Sequence, residues 1–335
     1  MGTRVTYDTV VVATGPVTES THRILGGVAR VVVAADDDEA TLLELAKDAH
    51  GFIVRGDTRL TRAVIAAAPN LRVIGRSGVG VDNVDVNEAT RRGIPIVVTP
   101  GAGVDAIAEG VFAMILSLAK KLPQLDEMVR SGRWSDRNLV DIGDLDLATL
   151  GIMGMGRIGR RVAELGAAFR MNILATDPVV DESHMRQLGV EPVDLEELFA
   201  RSDHISLHAP LQPDTRGVIT ADLLQTAGPG AILVNLARGG LIESLDALKA
   251  ALDSGALAGI GLDVFEPEPP DISHSLFADS RVLLSPHAIG ITTRSRQRIF
   301  EEMSRGILAV MEGRRPEAVA NPDIYETFHE ESVSR

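Results

Sequence analysis

Residues 150–177 read LGIMGMGRIGRRVAELGAAFRMNILATD, and their order decides the fold. An apolar run over 149–153 has strand character. It meets the glycine turn Gly154-x-Gly156-x-x-Gly159. A helical stretch over 157–169 follows, then a second apolar run over 172–176 that ends on Asp177. Strand, glycine turn, helix, strand and acid, in that order, form the context a dinucleotide fingerprint needs. Gly154 permits the tight turn, Gly156 lets the backbone approach a pyrophosphate, and Gly159 lets helix and strand pack closely. The helix start offers N–H groups and partial positive charge to phosphates. Asp177 lies about 20 residues on, where an acid hydrogen-bonds a ribose diol. A glycine turn of an α/β protein that binds nothing is the plainer alternative, and it leaves the acid at that spacing without a reason.

The whole chain, 335 residues, has room for about two domains and a substantial core. It has no cysteine, so disulfides, thiolate metal sites and cysteine nucleophiles are excluded, in keeping with a reducing compartment. A formal charge of −14 argues against nucleic-acid or anionic-membrane partners, though not against a local basic pocket. The N-terminal stretch 1–15 reads as a first strand, not a signal peptide. The longest apolar segment, 106–119, carries Glu109 and is too short to span a bilayer. A cytoplasmic protein is the expectation.

Strand-like runs at 10–13, 30–34, 51–54, 71–74 and 95–98 alternate with helical stretches at 38–47, 58–67 and 86–92. Continuous apolar strands between helices indicate a parallel sheet covered on both faces. The acidic run at 36–39 reads as a helix start, where negative charge is favourable, and not as a metal site. A long buried helix at 105–121 ends at Pro123, and an arm of mixed polarity with Trp134 runs over 124–146. The arm covers either a partner subunit or its own chain. A second series of about six strands follows, at 150–153, 172–176, 204–207, 231–236, 258–262 and 281–284. The fold class is therefore α/β, with two doubly wound parallel-sheet domains. A last helix over 292–313 could return to the first of them.

Ligands of open α/β sheets bind beyond the carboxyl ends of the strands. The residues there in the second series are Asp177, His208-Ala209-Pro210, Arg238-Gly239-Gly240, Asp263 through Glu268, and His287. Taken singly, Arg238 could cap a strand, Glu268 could be a rim charge and His287 a turn histidine. At successive strand ends beside the fingerprint they fit one chemistry. Hydride transfer to a 2-keto acid needs a cation for the carboxylate and a proton donor for the nascent alkoxide. A guanidinium binds a carboxylate bidentately. An imidazole titrates near working pH, and a neighbouring carboxylate favours its charged form and holds the ring. Arg238 is thus the binder, His287 the acid/base and Glu268 its tuner. His204 and His208 have metal-ligand spacing for a helix, but they fall on a strand, so no metal is expected.

Six segments carry a family resemblance: RSGVGVDNVDVNEATRRGIPIVVTPG (76–101), GIMGMGRIGRRVA (151–163), HAPLQPDTRGVI (208–219), VNLARGGLIE (234–243), GLDVFEPEPP (261–270) and SPHAIGITT (285–293). In this order they resemble the NAD-dependent D-2-hydroxyacid dehydrogenases, and phosphoglycerate dehydrogenase cores in particular. The resemblance implies catalytic roles for Arg238, Glu268 and His287, with Glu268 chosen over Glu266. It implies cofactor contacts from Gly154, Gly156, Arg157, Ile158, Gly159, Asp177, Ala209, Pro210, Leu236, Ala237, Asp263 and Gly290. It assigns the substrate carboxylate to the backbone of Ser77, Gly78, Val79 and Gly80, with Arg55 and Arg76 toward the substrate's far end. It further implies a Rossmann cofactor domain at 104–290, inserted into a flavodoxin-like substrate domain at 1–103 and 291–335. A homodimer would form through a helix and arm at about 104–146. The segment TPGAGVDAIAE departs from the family's asparagine-containing pattern, DIGDLDLATLG lacks its glycine–lysine pair, and no regulatory domain is expected after Asn321.

Asp177 would repel a 2′-phosphate and the residues after it supply no arginine, so NAD(H) is expected over NADP(H). The expected partner is a small 2-hydroxy or 2-keto acid. An anionic-tailed acid such as 3-phosphoglycerate leads, hydroxypyruvate or glyoxylate is the alternative, and an NAD(H)-sensing binding protein is the alternative of another class.

Overall fold

The computed structural model describes residues 8–326. The N-terminal reading of residues 1–7, and the domain ends at 1–7 and 327–335, lie outside the described residues. The chain divides into two compact units, Met1–Gly103 with Thr292–Arg335, and Val104–Ile291.

The first unit is built on β1 (Val10–Ala13), β2 (Arg30–Val33), β3 (Gly51–Val54), β4 (Val73–Arg76) and β5 (Ile96–Val97). All pairings are parallel, in the order β2-β1-β3-β4-β5, the order of flavodoxin-type sheets. β1 and β3 are buried along their whole length, which is why they read as unbroken apolar runs. Leu42, Val64, Ile65 and Ala89 of three short helices pack with Phe52, Ile74 and Ile96. Leu25, with Phe300, Met303 and Ile307 of the helix Thr293–Met311, packs with Val11, Ile53 and Val73. The acidic run does start a helix: Asp38 accepts the Thr41 N–H at 2.8 Å. The β4 strand lies two residues beyond the expected run, because Leu71 turns into the core ahead of it.

The second unit contains β6 (Thr149–Met153), β7 (Asn172–Thr176), β8 (Glu191–Pro192), β9 (His204–Leu207), β10 (Ala231–Asn235), β11 (Leu257–Leu262) and β12 (Val282–Leu284). They are parallel, in the order β12-β11-β10-β9-β6-β7-β8. The order reverses where β6 meets β9, as in doubly wound nucleotide-binding sheets. One face packs on Val104–Ala119 and Arg157–Ala168, the other on Leu195–Arg201, Ala221–Gln225 and Leu245–Ser254. The sheet has seven strands against about six expected, because β8 is a two-residue edge strand containing Pro192. Pro123 does not simply end a helix. Lys121 adopts φ 51° and breaks the chain direction, and Pro123 then lies in the first turn of a further helix, Leu122–Arg130, where proline is tolerated. A 3₁₀ turn, Trp134–Leu139, follows. Glu109 is on the exposed strip of the otherwise buried Val104–Ala119. Among the described residues, no helix is long and apolar enough to cross a membrane.

Candidate active site

β6 runs into the glycine turn, and the three glycines there are glycine for different reasons. Gly154 has φ 98°, and a Cβ on it would meet the His208–Ala209 backbone at 2.8 Å. A Cβ on Gly159 would overlap the Gly154 carbonyl. A Cβ on Gly156 would meet nothing within 4 Å. Gly156 and Arg157 are exposed at the start of the helix Arg157–Ala168, whose N-cap has no side-chain partner, while Ile158 packs on the core beneath. Asp177, at the end of β7, accepts the Met155 N–H on Oδ2 at 2.7 Å and the Val179 and Val180 N–H groups on Oδ1 at 2.8 and 3.0 Å. Its carboxylate is thereby fixed against the turn.

The ends of β9 to β12 carry the remaining groups. Ala209 is buried, and Pro210 is exposed beside it. Leu236, Ala237 and Arg238 leave β10 in a loop clamped by the fully buried Asn235. Its Oδ1 accepts the Ala237 N–H at 3.0 Å, and its Nδ2 donates to the Arg238 carbonyl at 2.8 Å. Arg238 is half-buried and its Nη1 donates to the Ala237 carbonyl at 2.7 Å. The next residue, Gly239, touches the Phe265 backbone so closely that a Cβ would overlap its carbonyl. The arginine loop and the glutamate loop are thereby held against each other.

Glu268 and His287 form a pair, Oε2 to Nδ1, at 2.8 Å. The other carboxylate oxygen of Glu268 accepts the Phe265 N–H at 2.9 Å. Glu268 is 21% exposed and His287 48% exposed, so the imidazole is the group open to solvent. With a carboxylate as acceptor, Nδ1 carries the hydrogen and Nε2 is left for chemistry. His287 has φ 51°, a conformation that costs a non-glycine residue energy and needs outside support. The support comes from Asp263, which is 4% exposed. Its Oδ1 accepts the N–H groups of Ala288 and Ile289 at 2.9 and 3.2 Å. Gly290 lies where a Cβ would meet Ile107 at 2.8 Å, so the same loop is seated on the long helix. Glu266 is engaged elsewhere, by Arg216 at 2.7 Å.

Arg55, Arg76, Ser77, Gly78, Val79 and Gly80 belong to the first unit. Arg76 donates from Nε to Asn83 Oδ1 and from Nη2 to the Gly56 carbonyl, each at 3.0 Å. Its Nη1 lies 3.4 Å from Ser77 Oγ. Ser77 N–H bonds the Val54 carbonyl at 3.1 Å and Gly78 N–H the Arg76 carbonyl at 2.8 Å, while Val79 is exposed at the tip. Arg55 donates from Nη1 to the Pro16 carbonyl and stacks 5.3 Å over the Phe300 ring.

Two groups that hold these loops, Asn83 and Asn235, are not apparent in the sequence. Asn83 donates to the Gly56 and Thr58 carbonyls at 3.1 and 2.7 Å while holding Arg76. Asn235 clamps the arginine loop. His208 bonds Ser206 Oγ through Nε2 at 2.8 Å, and burial pushes its imidazolium down to about 4. The one available signal was a polar residue closing an apolar strand, AILVN, which implies a buried amide with partners to satisfy. His204 lies on β9, and neither ring nitrogen has a hydrogen-bond partner among the described residues.

Residues 112–288 match the family model described as D-isomer specific 2-hydroxyacid dehydrogenase, NAD binding domain. A D-3-phosphoglycerate dehydrogenase of Methanocaldococcus jannaschii is 39% identical over 93% of this chain and 59% of its own length. The chain spans about half the length of the phosphoglycerate dehydrogenases it matches. A glyoxylate reductase of Korarchaeum cryptofilum is 36% identical over 87% of this chain and 88% of its own. The solved structure of an Aquifex aeolicus D-lactate dehydrogenase, complexed with NAD and lactic acid, has a TM-score of 0.82 and 30% identity over 91% of this chain and 96% of that one. The chain belongs to the D-isomer specific 2-hydroxyacid dehydrogenase family.

Proposed function

We propose that this protein is an NAD(H)-dependent oxidoreductase that interconverts a D-2-hydroxy acid and its 2-keto acid. The observation that carries the reading is the Glu268–His287 pair, held beside the Arg238 loop at strand ends of the sheet that bears the glycine turn. The residues present fit the cofactor: Gly156 leaves space for a pyrophosphate at a helix start, and Asp177 is fixed where a ribose diol would bond. When bound, the nicotinamide supplies or accepts the hydride. Arg238 then binds the substrate carboxylate, and the backbone of residues 77–80 holds it in the first unit. His287 Nε2 gives a proton to the carbonyl oxygen in reduction and removes it from the hydroxyl in oxidation. Glu268 keeps the ring oriented, and Asp263 keeps the loop that carries it in place.

On this reading, residues 104–290 form the cofactor domain, and 1–103 with 291–335 the substrate domain. Asp177 favours NAD(H) over NADP(H), because its carboxylate would face a 2′-phosphate. A homodimer forms through the arm, where Leu122, Val129, Trp134 and Leu139 are each exposed.

The test is oxidation of NADH and of NADPH with glyoxylate, hydroxypyruvate, phosphohydroxypyruvate, sulfopyruvate and oxaloacetate. Turnover of at least one, with kcat/KM at least about tenfold higher for NADH, is the expected result. No turnover together with tight NADH binding would point instead to a sensor, and equal use of both cofactors would remove the role given to Asp177.

A further inference from the structure

Three loops leave the carboxyl ends of β9, β10 and β11 and carry, in turn, Pro210, Arg238 and Glu268. The first is a turn that holds itself. Thr215 Oγ1 accepts the Gln212 N–H at 2.8 Å and donates to the Pro210 carbonyl at 2.7 Å, and the Arg216 N–H bonds the Gln212 carbonyl at 3.0 Å. This turn is docked on the chain that follows Arg238. The Gly217 N–H bonds the Gly240 carbonyl at 2.8 Å, the Ile219 N–H the Leu241 carbonyl at 3.0 Å, and the Glu243 N–H the Ile219 carbonyl at 3.0 Å. The first two loops are therefore one platform, fixed by backbone bonds.

A side chain joins the glutamate loop to that platform. Arg216 Nη1 donates to Glu266 Oε1 at 2.7 Å, across 50 residues of sequence. The other oxygen of Glu266 lies against Gly240, where a Cβ would overlap it, and the same Cβ would meet Arg216 Nη1 at 3.1 Å. Both halves of the pair are thus seated on the backbone just beyond Arg238. Only Pro267 separates Glu266 from Glu268, and Pro269 follows. A proline ring fixes its own φ, so this segment has few free torsions and a hold on Glu266 is passed to Glu268. Both charges are about half exposed, so the pair contributes little to folding stability. What it sets is where the glutamate loop stands.

We propose that Arg216 is a positioning residue: through Glu266 it holds Glu268 in the place from which that carboxylate orients His287. The effect on catalysis rests on the proposed dehydrogenase reading. The hold on Glu268 can be measured without turnover, because Glu268 Oε1 accepts the Phe265 N–H.

The variants are Arg216→Gln, Arg216→Lys, Glu266→Gln and the double variant Arg216→Gln/Glu266→Gln. In Arg216→Gln we expect kcat to fall about tenfold, the effect of a small misplacement near the chemistry, with KM, NADH affinity and melting temperature close to those of the wild type. Glu266→Gln should lose as much, the double variant no more than either, and Arg216→Lys should recover most of the loss. Exchange of the Phe265 amide hydrogen, followed by mass spectrometry, should be at least about fivefold faster in Arg216→Gln, while that of Ala237, which Asn235 holds, keeps its rate. The inference is overturned if kcat of Arg216→Gln stays within about twofold of the wild type, if the two losses add in the double variant, or if Phe265 exchanges no faster. Faster exchange shared by Ala237 overturns it too, since the whole platform has then loosened. If the wild type turns over none of the acids tested, the dehydrogenase reading fails, and Phe265 exchange still decides whether Arg216 holds Glu268.

Discussion

Glu268 Oε2 and His287 Nδ1 are 2.8 Å apart, while the other oxygen of the same carboxylate is tied to the Phe265 N–H. The glutamate is thus fixed by the backbone before it fixes the histidine. Glu268→Gln loses the charge and leaves one acceptor oxygen for the two donors, Nδ1–H and the Phe265 N–H; Glu268→Ala loses both acceptors as well as the charge. We expect kcat to fall on the order of 10²-fold in the glutamine variant and further in the alanine variant. His287→Ala should abolish turnover with NADH binding retained. Steady-state kinetics and NADH fluorescence titration check all three, and a His287→Ala enzyme of near-normal rate would remove that residue from its role.

The glycine turn makes a contrasting pair of predictions. Gly156→Ala adds a methyl group that meets no protein atom at an ordinary φ of −67°. Its melting temperature should stay within about a degree or two of the wild type while NADH affinity falls at least about tenfold, the effect of about 1.4 kcal/mol. Gly159→Ala drives a methyl group into the Gly154 carbonyl and should lower stability by about 1–3 kcal/mol. Equal melting temperatures for the two variants would contradict this division.

His208 sets an acid limit on stability. Its folded pKa is near 4 against an ordinary value of about 6.5, so the unfolded chain binds the proton more readily. Stability from this group is whole above pH 6.5, declines as pH falls, and is lost by pH 4, at most about 3 kcal/mol in all. Urea unfolding between pH 7.5 and 4.5 should show a smaller loss in His208→Gln than in the wild type. Parallel curves would assign the acid limit to other groups.

The arm carries the prediction for assembly. Trp134 is 63% exposed and Leu139 83% exposed, on one 3₁₀ turn after a helix that exposes Leu122 and Val129. Large apolar side chains left exposed along one segment are what a subunit interface would cover. Sedimentation should give a dimer for the wild type and a monomer for Trp134→Glu/Leu139→Glu. A wild-type monomer at micromolar concentration would overturn it.

What was legible in the sequence follows a physical pattern. β1, β3, β6 and β10 are buried on both faces, so their apolar runs state the strand without help from context. Asp177 and the glycines have meaning at fixed local spacing, and local spacing survives in one dimension. β8 did not, because two residues including a proline carry no periodicity. Asn83 was hidden because it joins the end of β4, at Arg76, to the loop of Gly56 and Thr58, which no local spacing announces. The left-handed backbone of His287 was hidden too, since SPHAIG contains nothing to announce it.

The helix Thr293–Met311 has a consequence for how the chain acquires its structure. The first unit's second hydrophobic cluster is completed only by Phe300, Met303 and Ile307. A ribosome emits those residues after the whole of Val104–Ile291, which is continuous and contains all its own strands. Since contiguous units fold as they emerge, the second unit can complete its core during synthesis, while β1 to β5 wait with one face covered only in part, by the segment that carries Leu25. The segment most exposed to aggregation is therefore the one translated first.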